Sequence, residues 1–73
     1  MAEIRPFASF SVPLGGQRIE LQQIEHAPGG LALMRVRIRE GRRFTVFDID
    51  AASARAWGEA MLAWAAKQDV SRS

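Results

Sequence analysis

Seventy-three residues allow one domain with a single core. The lack of Cys excludes disulfides and a single His excludes the usual structural zinc sites, so association with a second copy is the stabilising device left at this size. A net charge of +2, from ten basic and eight acidic side chains, is too small to identify a partner, and the placement of the charge has to decide.

With 48% hydrophobic residues the chain has the composition of a folded domain. Glu3, Arg5 and Pro6 interrupt residues 1–10, unlike the apolar run of a secretory leader. No stretch approaches the ~20 apolar residues of a membrane span. The expectation is a cytoplasmic protein without membrane contact, folded as one domain over residues 1–73.

Gly15-Gly16, Pro28-Gly29-Gly30 and Gly41 cut the first fifty residues into four segments, read as strands over 7–14, 17–26, 31–40 and 43–49. Phe10, Val12 and Leu14 alternate with Ser9, Ser11 and Pro13. Ile19 and Leu21 alternate with Arg18, Glu20 and Gln22. Met34, Val36 and Ile38 alternate with Arg35, Arg37 and Arg39, and Thr45, Phe47 and Ile49 with Phe44, Val46 and Asp48. The turns test the pattern, because a slip of one residue flips every side chain. A two-residue Gly15-Gly16 loop pairs Val12 with Ile19 and Phe10 with Leu21. A four-residue loop over 27–30 pairs Leu21 with Val36 and Ile19 with Ile38. A Gly41-Arg42 loop, with Gly first as a type II′ turn prefers, pairs Met34 with Ile49 and Val36 with Phe47. All three put the apolar residues on one face.

From Asp50 the period changes. Asp50 reads as an N-cap, followed by a helix over 51–68 with Ala54, Trp57, Met61, Trp64 and Ala65 on one stripe. Leu62 and Ala66 flank that stripe. Gly58 weakens the helix or permits close helix contact. The fold class expected is therefore α+β: a four-stranded antiparallel meander followed by one C-terminal helix packed on one face of the sheet. Trp57, Met61, Leu62 and Trp64 serve core and dimer interface.

The same register arranges the opposite face in rows: Ser11, Glu20, Arg37, Val46; then Ser9, Gln22, Arg35, Asp48; then Pro13, Arg18, Arg39, Phe44; then Phe7, Ile24, Leu33 beside Asp50. Arg37 opposes Glu20 and Arg35 opposes Asp48, which are ordinary cross-strand pairs. In the third row Arg18 meets Arg39 with like charge, and Arg42 and Arg43 adjoin exposed Phe44. Guanidinium groups around an aromatic ring suit phosphates and a stacked base, although two arginines at a hairpin tip also make an ordinary soluble turn. The apolar row Phe7, Ile24 and Leu33 is a second expected dimer contact.

Little points to catalysis. His26 stands alone at a strand end, and Asp48 and Asp50 are better explained as an Arg35 partner and a helix cap than as a Mg²⁺ site. The five Ser residues have no triad context, and there is no GxGxxG motif or P-loop. No enzyme, cofactor, metal or small-molecule substrate is expected.

Four meander strands running into one long helix, with the passage FTVFDIDAASARAWGEAM at the junction, resemble the repeat unit of the PUR, Whirly and positive-cofactor single-strand binders over residues 18–66. The Ala- and Arg-rich composition also looks like that of short bacterial domains. The resemblance implies a dimer whose basic sheet binds single-stranded DNA or RNA through Arg18, Arg35, Arg37, Arg39, Arg43 and Phe44. The rival expectation is a homodimeric protein-interaction module that uses the helix flank and the Phe7 patch.

Overall fold

The computed structural model describes residues 3–26 and 29–71, with side chains through Asp69. In chain order the elements are β1 (Glu3–Val12), β2 (Gln17–Glu25), β3 (Ala32–Glu40), β4 (Arg43–Ile49) and α1 (Ala51–Ser71). The strands form one antiparallel sheet in the order β1-β2-β3-β4, and α1 contacts β3. The fold is thus the expected α+β meander with a C-terminal helix.

Two registers hold residue for residue. Leu21 pairs with Val36 and Ile19 with Ile38, while Met34 pairs with Ile49 and Val36 with Phe47. Gly41 takes φ 61 and is the only positive-φ residue of its turn, as a type II′ connection requires. The loop over 27–30 lies partly outside the described residues.

β1 departs from expectation. It starts at Glu3 rather than residue 7, and its register is displaced by two: Phe10 pairs with Ile19 and Val12 with Gln17. Pro13 lacks the N–H a ladder needs, so Pro13, Leu14, Gly15 and Gly16 all leave the strand. Gly16, at φ 73, donates its backbone N–H to Val12 O at 2.7 Å to close the turn. Phe10 and Val12 keep the expected face, because a shift of two preserves it.

A bulge between Pro6 and Ala8 follows from the missing N–H of Pro6 and leaves Phe7 out of the ladder. Beyond it Ile4, and not Phe7, pairs with Ile24, which pairs in turn with Leu33. Ile24 is fully buried while Phe7 is 69% exposed. The expected exposed patch of Phe7, Ile24 and Leu33 therefore does not exist: one member lies outside the row and one is inaccessible.

Asp50 caps α1. Its carbonyl accepts the Ala54 N–H at 3.0 Å and its carboxylate accepts the Ser53 hydroxyl. The helix lies over the face bearing Met34, Val36 and Ile38, with Trp57 tilted 58° against Phe47 at a 5.8 Å centroid distance. It then leaves the sheet, so that every residue from Glu59 to Asp69 is exposed. The stripe expected to pack against the sheet is largely uncovered, with Trp57, Met61 and Trp64 at 43%, 56% and 66% exposure. Ile24 and Val36 are the buried hydrophobic residues of the chain among those described. No helix among the described residues is long and apolar enough to cross a membrane.

Candidate nucleic-acid interface

Strand alternation builds the face opposite α1. β3 contributes Arg35, Arg37 and Arg39, β2 contributes Arg18 and Glu20, and β4 contributes Phe44, Val46 and Asp48. Hydrogen-bonded pairing aligns Arg18 with Arg39 and Phe44 in one row. Ser11 stands beside Arg18 in place of the expected Pro13, because of the displaced β1 register.

The arginines divide into two groups. Arg35 grips Asp48 with two parallel hydrogen bonds, Nε to Oδ1 at 2.8 Å and Nη2 to Oδ2 at 3.1 Å. Both side chains are about three-quarters covered. Arg37 stands 3.9 Å from a Glu20 oxygen, and its guanidinium lies 4.7 Å from the Phe44 ring centroid. By contrast, no carboxylate among the described residues forms an ion pair with Arg18, Arg39, Arg42 or Arg43. Arg39 donates from Nε to Gly41 O at 3.3 Å and lies 6.0 Å from the Phe44 centroid. Glu40, the acidic neighbour of this turn, accepts the Gln17 amide at 2.8 Å.

Arg18 and Arg39, with the turn glycines Gly16 and Gly41, line a recess of about 270 Å³ at the end of the sheet where both hairpins turn. Two like charges directly opposite on neighbouring strands destabilise the empty site and favour an anion between them. The structure does not bring Arg43 to this face. It pairs with Glu40 in the register, and alternation puts it on the α1 side, opposite Phe44. Arg42 occupies the turn itself.

The Arg37–Phe44 stack is the feature that reading each row separately misses. Arg37 and Phe44 lie on adjacent strands, one same-face step apart diagonally, and such diagonal pairs are within reach of long side chains. The signal was present in the register.

Asp48 and Asp50 are held by the partners the sequence suggests, Arg35 and the first turn of α1. No group of three His, Asp or Glu side chains among the described residues could hold a metal ion. The Arg35 hydrogen bonds hold the Asp48 carboxyl below its ordinary range, and the charge of His26 adds a smaller effect. The Ser53 hydroxyl, followed by backbone amides of the first turn, does the same for Asp50. A carboxyl depressed in the folded state stabilises the fold above the ordinary carboxylate pKa, and that contribution disappears as pH falls through the folded value. Thermal melts should therefore be flat between about pH 7 and 5 and decline below about pH 4. In Asp48→Asn/Asp50→Asn the acid branch should flatten.

No curated protein and no solved structure shows significant similarity to this sequence. A family model does match, over residues 1–67 and so over nearly the whole chain including every strand and most of α1. The chain belongs to that family, described as a family of unknown function, DUF6967.

Proposed function

We propose that this domain binds single-stranded nucleic acid, without catalysis, at the hairpin end of the face opposite α1. The observation that carries the reading is the row of Arg18, Arg39 and Phe44, in which two arginines without carboxylate partners among the described residues oppose each other beside an aromatic ring. Phosphate oxygens fit between the two guanidinium groups, with Arg42 at the adjacent turn as a third contact. A base fits against the Arg37–Phe44 stack, where one stacked base contributes roughly 1–3 kcal/mol. Arg35 belongs to the sheet rather than to the ligand, because Asp48 already occupies its fork. The likeness in element order to the PUR, Whirly and positive-cofactor binders supports the same ligand class, and a cytoplasmic location is part of the same proposal.

Fluorescence anisotropy with a labelled mixed-sequence single-stranded DNA tests the reading. Three phosphate contacts give a salt slope of about −2, so affinity should fall roughly 20-fold between 50 and 200 mM salt. Folded protein that fails to bind at 50 mM salt would overturn the proposal. The uncovered α1 favours a second reading, a non-catalytic module that assembles through its helix. In that case reversing the arginines leaves assembly unchanged and no DNA binds.

A further inference from the structure

We propose that a second copy of this chain completes the core by reciprocal exchange: the outer half of α1 in each protomer lies in the cleft between sheet and helix of the other. The assembly stands independently of what the arginine face binds.

A folded 8.1 kDa chain should leave about 4500 Å² accessible, and this one leaves 6086 Å². The excess, about 1600 Å² per chain, is about twice what each partner contributes to a standard interface and falls in the range of obligate homodimers. The radius of gyration agrees: 14.7 Å against about 11 Å for a compact chain of this length. The excess is thus large enough for a mutual interface between two copies of the chain.

Both halves of the contact are present in each chain. The cleft has a volume of about 400 Å³, and its lining is entirely apolar side chains plus Gly58, with Phe10, Ile19 and Leu21 on the sheet side and Trp57 and Met61 on the helix side. Such an opening suits an apolar segment and no charged one. The chain supplies that segment: Ala60–Ala66, AMLAWAA, is seven residues without a charge or hydrogen-bonding group other than the Trp64 indole, and all are exposed. A helix apolar all round is a buried helix. The eleven exposed residues Glu59–Asp69 extend about 16 Å, enough to cross the ~14 Å between the outer strands of a four-stranded sheet. Gly58 fits the same picture. Beyond its own stretch of helix, a Cβ there would meet no atom among the described residues within 4 Å, so no close packing inside the protomer requires a glycine in the middle of the helix. An incoming helix at the cleft accounts for it, since a missing side chain allows close approach.

Exchange by both protomers is isologous and closes at two copies. Sedimentation equilibrium of the full chain from about 1 to 100 µM should therefore return twice the 8.1 kDa chain mass. Thermal unfolding should shift to higher temperature with protein concentration, and emission from Trp57 and Trp64 should be that of buried indole. Gly58→Phe, whose side chain enters space empty in its own chain, should block the cleft and yield a chain of 8.1 kDa with red-shifted Trp emission and retained strand signal in circular dichroism. Leu62→Asp should yield the same mass through the other half of the contact. A single-chain mass for the natural sequence at 100 µM, or a mass above two chains, overturns the proposal. So does a two-chain mass that survives both substitutions. Arg39→Glu should leave the mass at two chains, which separates this assembly from the nucleic-acid reading.

Discussion

Ile24→Ala is expected to cost about 2–5 kcal/mol and to remove most of the cooperative unfolding transition, whereas Phe7→Ala should be nearly silent, within about 0.5 kcal/mol. The contrast follows from β1. The bulge after Pro6 takes Phe7 out of the ladder and lets Ile4 close over one side of Ile24, with Leu33 on the other. Ile24 is left with no accessible surface, and Phe7 with more than two-thirds of its own. Ile24 and Val36 are the buried hydrophobic residues among those described, so cutting back Ile24 removes a large share of the sheet's own buried surface. Urea titrations followed by circular dichroism measure both variants. Equal losses would mean that Phe7 and Ile24 form one patch after all, and that the bulge is absent in solution.

Arg39→Glu is expected to weaken single-stranded DNA binding by about two orders of magnitude at 50 mM salt and to flatten the salt slope by at least ~0.7. The effect exceeds the loss of one cation. A carboxylate at position 39 stands directly opposite Arg18, so it forms a cross-strand ion pair and withdraws that arginine from the ligand as well. Arg35→Gln makes the informative comparison. Its partner Asp48 then lies unpaired beside the sheet, so the substitution should reduce stability and raise the Asp48 pKa toward its ordinary value while leaving the salt slope unchanged. Anisotropy at two salt concentrations reads the first effect and a thermal melt reads the second. If both arginines changed the slope alike, the division into braced and unpaired groups would be wrong.

The sequence announces the meander clearly and the edge strand poorly, for reasons that lie in particular residues. Residues 18–22 of β2 and 34–39 of β3 alternate cleanly and the Gly41-Arg42 turn admits one register for β4, so Leu21, Val36 and Phe47 could be aligned from spacing alone. Pro6 within β1 and Pro13 just beyond its end each lack a ladder donor, one making a bulge and the other lengthening a turn. Neither leaves a trace in the apolar pattern, because a shift of two keeps Phe10 and Val12 on their side. The candidate site follows the same rule. The opposition of Arg18 to Arg39 was legible because it lies in the well-specified strands. Arg43 adjoins them in sequence alone, since alternation assigns it to the other side. Helical spacing placed Trp57, Met61 and Trp64 on one stripe, but periodicity reports only that a stripe needs burial. It does not report which chain provides the cover.

The bulge in β1 also gives the sheet two unlike margins. Along β1 a further strand meets the missing N–H of Pro6, the irregular backbone at Phe7 and the charged pair Glu3–Arg5, whose side chains are joined at 2.7 Å. Along β4 it meets seven residues of regular backbone with Phe44, Thr45, Val46 and Phe47 in succession. Templated growth of the sheet, whether by a docked peptide strand or by fibril formation from crowded molecules, is thus favoured along β4, and a proline placed there should oppose it.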